Sequence, residues 1–528
     1  MNEYLIRGST LTSIANAIRS KTGSTESLSV DEMINAIYSI EGETGGTGNT
    51  VIEDSLITRD FTTYSNDRIT SIGGFALASS PNLTTVSFPS VESIGYCAFR
   101  NCSMLSNMSF PVAKSIGMYA FSGCTSLTNV NFPNVEVINS YAFQKCTGLT
   151  SIDFPSVNFI STSAFTGCTF LVNMNIQNCK TIGINAFQSC TGLTSVNLPT
   201  ATIISSNAFI DCTNLNSIES PTLETVGISA FKNCNKLSNI NLPNVTTLSN
   251  YAFQGCSSLT DISFPSVENI GMSVFSGCTL IKTVNFPAAK TTGVQTFISC
   301  NKLISANFPV ATEIGQMTFW GCTELENVTI PLVETIGAYA FSNCSSLTTV
   351  NFPVATTISN GAFRDCTNLT NVHIPNALTI GKSAFYSCIN LTTISFPLAT
   401  MIDMQAFKGC SSLTTCYLPL VSSIGYGVFY SCSNLRNLSL PAVTFIDRDT
   451  FSNCRNLTSL YLLGEVVPSL GGSIFYQTPF NTSSYTGSFG SIFVRASLLT
   501  SFQTTNQWSK FSARMVGLTD DEIASLNV

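Results

Sequence analysis

Histidine occurs once in this chain of 528 residues, at His373. A Ser-His-Asp triad or a Cys-His nucleophile pair would have to use that one imidazole, which sits in the run N-V-H-I-P where other parts of the chain carry Asn. It reads as a solvent-facing variant and not as a base. Charge is also scarce: 23 Lys and Arg against 30 Asp and Glu leave a formal net charge of −7, without a basic cluster to neutralise phosphates. Nucleic acid and anionic membrane surfaces are therefore not expected as partners. No run of about 18 apolar residues could span a bilayer, and the N-terminus, M-N-E-Y-L-I-R-G-S-T, lacks the basic-then-apolar pattern of a secretory signal. The expectation is synthesis in the cytoplasm, with no signal peptide and no membrane insertion.

What the chain has in abundance is order. From Phe99 to Phe451 a Phe recurs every 22 residues, 17 times without exception. Three residues after each comes a Cys, from Cys102 to Cys454, so that only Cys97, Cys179 and Cys416 of the 20 cysteines stand outside this column. A Leu follows at Phe plus six, replaced only by Ile281, and a Pro column runs from Pro89 to Pro441, interrupted only by Gln177. Such a period marks a repeat architecture, and it overrides the multi-domain expectation that the length alone would give.

One unit reads A-F-S-G-C-T-S-L-T-N-V-N-F-P-N-V-E-V-I-N-S-Y from Ala120. Leu127, Val130 and Phe132 form a short strand of apolar residues, closed by Pro133, which cannot donate to a ladder. Val135, Ile138, Ala142 and Phe143 make a return limb too short for a full helix, so a loop or a single turn is expected there. No unit can bury its Phe alone, whereas stacked units bury Phe on Phe and Leu on Leu in continuous columns. At a strand spacing of about 4.8 Å, 17 units make a curved rod on the order of 80 Å long. Neighbouring column cysteines then fall at a Cα separation of about 4.8 Å, inside the disulfide range, yet their side chains point in parallel. With an odd number in the column and no export signal, they read as small buried hydrophobes with inert thiols. There is no C-x-x-C pair and no second His, so neither zinc nor any other metal or cofactor is expected, and no enzymatic activity.

These columns resemble the BspA-like leucine-rich repeats of bacterial and protist surface proteins, I-G-x-x-A-F-x-x-C-x-x-L-x-x-[IV]-x-[FIL]-P, over about residues 69–462. The units here are one residue shorter than that pattern between the Pro and the next Val. The resemblance implies a repeat solenoid with a stacked parallel β-sheet on one face, and it implies adhesion to cells, matrix or glycans. The expected organisation is a two-helix attachment module at 1–41, a Gly-rich linker at 42–50, a solenoid at 51–462 and a strand-helix cap at 463–528. In the first module Ser9 caps a helix with Leu11, Ile14, Ala15 and Ile18 on one face. Ser29-Val30-Asp31-Glu32 opens a second helix with Met33, Ile34, Ile37 and Ile40, giving a short helical hairpin. The stretches L-T-S-I-A-N-A-I-R-S-K-T-G and D-E-M-I-N-A-I resemble a small module at the N-termini of tail and other virion proteins of phages and prophages of Gram-positive bacteria. That resemblance implies docking to other virion proteins through Leu11, Ile14, Ile18, Met33 and Ile37. The same hairpin could instead cap the solenoid, although a cap should pack on the first coil without a linker between. At the other end, a strand through Ile492, Phe493 and Val494 and an amphipathic helix with Leu498, Leu499, Phe502 and Trp508 are expected to cover the last coil.

The outward strand position, ten residues after each Phe, carries mostly Asn, Ser and Thr, with Asn307, Asn351, His373, Tyr417 and Tyr461 among them. Uncharged amides and hydroxyls solvate a sheet, and they also satisfy sugar hydroxyls while nearby aromatics stack on pyranose rings. The turns add Tyr386, Tyr426 and Tyr430, with Arg448 and Asp449, late in the chain. The leading functional expectation is a non-enzymatic phage or prophage virion protein that presents this surface to a host receptor or glycan. A bacterial surface adhesin and a purely structural spacer or decoration protein are the alternatives, and a homo-oligomer is compatible with each.

Overall fold

The computed structural model describes residues 51–52, 61–481, 483 and 485–526. The expected helical hairpin, with Leu11, Ile14, Ile18, Met33 and Ile37, and the linker at 42–50 lie outside the described residues. The chain is a parallel β-solenoid of stacked coils, and it divides into two compact units, Met1–Leu215 and Asn216–Val528.

The coil that begins at Ala120 shows how 22 residues close on themselves. Its longer strand, Asn129–Asn131, alternates exposed, buried, exposed, so Val130 faces the core and two asparagines face water. It pairs in parallel with the next coil, Asn129 opposite Ser151, Val130 opposite Ile152 and Asn131 opposite Asp153. Since each step equals one period, every column stacks on itself. The second unit repeats this, with Thr349 opposite Asn371 and Asn351 opposite His373.

The return limb differs from the expected loop or single turn. In the same coil Val137–Ile138 forms a second, two-residue strand that pairs with Phe159–Ile160, and equivalent pairs recur in both units. One outward and one inward residue are too few for an alternation to be visible in sequence, but identical backbones one period apart can still pair. The turn around the column Phe forms a further set of links between coils. Tyr141 and Lys145 have φ of 61° and 58°. This swings the N–H groups of Tyr141, Phe143 and Lys145 onto the carbonyls of Thr162, Ala164 and Thr166 at 2.8–2.9 Å. The position two after each Phe is accordingly rich in Gly, Asn, Asp and Ser, which tolerate a left-handed backbone best.

The core is built from the expected columns. Phe99, Phe121 and Phe143 stack at 5.1 and 5.2 Å with rings within 6° of parallel. In the second unit Phe253, Phe275 and Phe297 do the same at 5.5 and 5.6 Å. The column thiols point at the backbone of the coil before them, as where Cys124 Sγ donates to the Phe99 carbonyl at 3.1 Å and Cys278 Sγ to the Phe253 carbonyl at 3.2 Å. Burial pushes the Cys124 and Cys278 thiols up, Cys278 to about 12. That orientation and protonation explain why a small thiol fits here, since it fills apolar volume and still supplies one weak donor.

One coil departs from the pattern. Thr292 stands where other coils carry an aliphatic residue, and Thr296 and Thr318 stand in the Ala column. The short-strand ladder is interrupted there, leaving a single bridge between Thr291 and Glu313. Thr292 Oγ1 lies 3.0 Å from Thr318 Oγ1 and accepts from the Gly315 N–H at 3.0 Å, so a side chain replaces a backbone acceptor. Thr296 is fully buried and its hydroxyl has no partner. A shallow cleft of about 290 Å³ opens beside it, against Gly293, Val294 and Glu313.

At the C-terminal end Ser459–Leu462 pairs in parallel with Ser491–Arg495, as expected for a closing strand. The helix Leu499–Thr504 follows, with Phe502 buried and Leu498 and Leu499 half-buried. Trp508 is fully buried between Phe475 and Phe502, and its indole N–H donates to the Pro468 carbonyl at 2.7 Å. Two further elements follow that the sequence pattern did not announce. Met515–Leu518 adds another parallel strand, and Asp520–Ala524 is a short helix with a capping box between Thr519 and Glu522. No helix among the described residues is long and apolar enough to cross a membrane.

Candidate binding surface

The candidate residues fall on two surfaces of the second unit. Asn307, Asn351, His373, Tyr417 and Tyr461 occupy the outward column of the longer strands. Asn307 is already engaged, donating to Asn285 Oδ1 at 2.8 Å, as Asn175 donates to Asp153 Oδ1 at 2.7 Å in the first unit. Part of the amide ladder therefore satisfies itself along the stack. Asn351 and His373 are exposed and lie side by side in register, and Tyr417, 53% exposed, is the large aromatic of this column open to water. Tyr461 is different. Its ring stacks on Phe493 at 4.6 Å and 13°, which makes it a structural contact of the closing strand.

Tyr386, Tyr426 and Tyr430 lie on the turns instead, away from the strand face. There the position after the column Phe reads Arg364, Tyr386, Lys408, Tyr430 in four consecutive coils, a pattern that the tyrosines alone do not reveal. The Arg364 guanidinium lies 4.4 Å from the centre of the Tyr386 ring, and Lys408 Nζ lies 5.7 Å from Tyr386 and 4.9 Å from Tyr430. Arg448 covers Tyr426 at 5.0 Å, and Arg364 also pairs with Asp365 at 3.1 Å. Each ring face that meets a cation gains about 0.5–1 kcal/mol at such partly exposed sites. The backbone holds the rings in place, because the carbonyls of Tyr386, Tyr426 and Tyr430 accept N–H groups of Asp365, Gln405 and Gly409 at 2.7–2.8 Å. The readable signal was an alternation of cation and aromatic at the 22-residue period.

Tyrosine also collects near the start of the solenoid, contrary to the impression from the late residues alone. Phe75, Tyr96, Tyr119 and Tyr141 form a row with ring centres 5.2, 6.1 and 4.6 Å apart, and Arg100 lies 5.3 Å from Tyr119. That row has few charges beside it, so the late ridge is distinguished by its interleaved cations and not by its aromatics. Among the described residues no group of three or more His, Cys, Asp or Glu side chains could hold a metal ion.

The BspA-type leucine rich repeat model matches residues 70–194, 114–222, 180–304, 290–414 and 378–501. The chain belongs to the BspA-type leucine rich repeat family. Among solved structures, a leucine-rich repeat protein from Bacteroides ovatus is 24% identical, with 72% of this chain and 87% of that one covered at a TM-score of 0.41. One from Eubacterium ventriosum is 23% identical over 60% of this chain and 89% of that one, with a TM-score of 0.34. A leucine rich cell surface protein from Faecalibacterium prausnitzii is 21% identical over 81% and 89%, with a TM-score of 0.29. No curated protein matches the chain.

Proposed function

We propose that this BspA-type repeat protein is a non-enzymatic binding protein of a phage or prophage virion, which attaches the particle to a host cell surface. The observation that carries the binding role is the Arg364, Tyr386, Lys408, Tyr430 ridge, where rings and cations alternate on consecutive coils. A half-buried ring already held by a cation and by its own backbone loses little freedom on binding, which favours recognition. The ring surface left open beside the cations suits the apolar face of a sugar, and the flanking Arg and Lys donate to its hydroxyls or carboxylates. The ligand class is therefore a cell-surface glycan or a glycosylated protein, with Tyr417, His373 and Asn351 as a second candidate surface on the strand face. The virion role is supported by the resemblance of residues 9–40 to phage tail modules, through which other virion proteins would be bound. Family membership alone favours a second reading, a surface adhesin.

The test uses Tyr386→Ala with Tyr430→Ala in the full chain. Binding to host cells should fall at least tenfold while the melting temperature stays within about 2 °C of wild type. Removal of residues 1–50 should abolish incorporation into particles and leave cell binding intact. If the chain without residues 1–50 binds no cell, glycan or protein of a plausible host, the structural spacer or decoration reading takes first place. Incorporation that survives the truncation would refute the virion role of the N-terminal module.

A further inference from the structure

The corner after the longer strand changes chemistry part-way along the chain. In most of the earlier coils the residue following the Pro column is polar, Val112 and Ala288 being the exceptions, and in several it ties itself to the coil before. Asn134 donates to the Pro111 carbonyl at 3.1 Å, Asn178 to Pro155 at 2.7 Å, Asn244 to Pro221 at 2.7 Å and Ser266 to Pro243 at 2.9 Å. From Val310 onward the same column reads Val310, Leu332, Val354, Asn376, Leu398, Leu420. The five aliphatic side chains are each 40–48% exposed, and each follows a column proline. One exposed Leu means little on any protein. Five within six consecutive coils, broken only by Asn376, form an apolar stripe where most other coils place a polar group.

The spacing of the row decides what can cover it. Its side chains repeat once per coil, about 4.8 Å apart. An α-helix offers groups about 5.4 Å apart per turn and falls out of step by about 3 Å over five intervals, and an extended strand offers one face every 6.6–6.8 Å or so. A second copy of this chain carries the same row at the same spacing. Its register is also defined. Asn376 is the fourth of the six positions, three coils from Val310 and two from Leu420, and its Nδ2 already donates to the Pro353 carbonyl at 2.9 Å. The amide keeps one N–H and one carbonyl for another amide. Pairing in register sets Asn376 against Asn376, whereas a shift by one coil sets it against a Leu or Val, as with a buried Asn that fixes a coiled-coil register. Within three residues of the stripe positions the acidic residues are Glu313 and Glu334, and the polar residues there are otherwise mostly Thr, Ser and Asn, so little of the net charge of −7 falls beside the contact.

We propose that two copies of the chain pair row to row along Val310–Leu420, in register about Asn376. Six coils of this width give a contact below about 1,000 Å² in total, in the range of weak interfaces, so association should be concentration-dependent in the micromolar range. Sedimentation equilibrium of the full chain from 1 to 100 µM should show a monomer–dimer equilibrium. Leu332→Asn with Leu398→Asn should be monomeric throughout at an unchanged melting temperature. Asn at those places can take the bonds to Pro309 and Pro375 that Asn376 takes to Pro353, so folding is preserved. Asn376→Cys should give a covalent dimer under mild oxidation. A wild type that is monomeric at 100 µM, a dimer unaffected by the double substitution, or an absence of cross-link at residue 376 would each overturn the proposal. Cell binding by the tyrosine ridge is read separately and does not depend on this outcome.

Discussion

Alkaline pH should dismantle this protein coil by coil, because its core holds thiols that can only be neutral. In an unfolded chain a Cys titrates near 8.5. Desolvation pushes the buried Cys278, Cys410 and Cys454 to about 12, and it raises Cys256, Cys300, Cys344, Cys388 and Cys432 of the same column as well. Below about pH 8 both states keep the proton and stability is unaffected. Between about 8.5 and 12 the unfolded chain releases protons that the folded chain retains, so stability falls as pH rises. At pH 10 the loss is about 2 kcal/mol per thiol, at a slope of about 1.4 kcal/mol per pH unit. For eight thiols that is on the order of 16 kcal/mol, comparable with the whole stability of a typical domain. The assay is urea unfolding followed by far-ultraviolet circular dichroism from pH 7 to 10.5 under constant reductant. Its slope against pH, divided by 1.4 kcal/mol, counts the thiols in one cooperative unit. Cys278→Ala with Cys300→Ala should lower that count by two. A transition midpoint that stays flat from pH 8 to 10, or a double variant with the parent's slope, would refute the reasoning.

Phe275→Ala should cost about 3–5 kcal/mol, since the ring is fully buried between Phe253 and Phe297, and hydrogen exchange should quicken first around residues 253–297. Thr296→Ala removes a buried hydroxyl without a partner and restores the residue that this column carries in most coils, so it should raise stability by about 1 kcal/mol in the same urea assay.

The inward half of this fold was legible because each buried position repeats. Phe, Cys and Leu at fixed places gave the columns, and the structure stacks them as the period required. The two-residue strand at Val137–Ile138 was not legible, because its pairing comes from an identical backbone 22 residues away and leaves no local alternation to read. The second closing strand, Met515–Leu518, lay hidden for a related reason, as it falls beyond the repeat and has only a Gly-interrupted apolar run. On the outside the tyrosines were found as a composition, without their partners. Reading down the period instead of along the chain would have joined Tyr386 to Arg364 and Lys408. It would also have separated Tyr461, which packs on Phe493, from Tyr417, which does not.

The two outward rows of the second unit place different demands on the same coils. The cation–aromatic ridge occupies the position after each column Phe from Arg364 to Tyr430, and the apolar stripe occupies the position after each column Pro from Val310 to Leu420. Twelve residues separate the two positions within a coil, more than half of its 22-residue circuit, with the longer strand between them. A solenoid can afford this because its inward columns are fixed by identical neighbours, leaving each outward column free to drift without loss of packing. Departures of opposite kinds therefore have opposite meanings. Where an inward column changes, as at Thr292, Thr296 and Thr318, the ladder breaks and a hydroxyl is left buried, which is a local cost in stability. Where an outward column changes for several consecutive coils together, as at both rows here, nothing inside requires it, so both rows can be substituted to test the proposed contacts without disturbing the core.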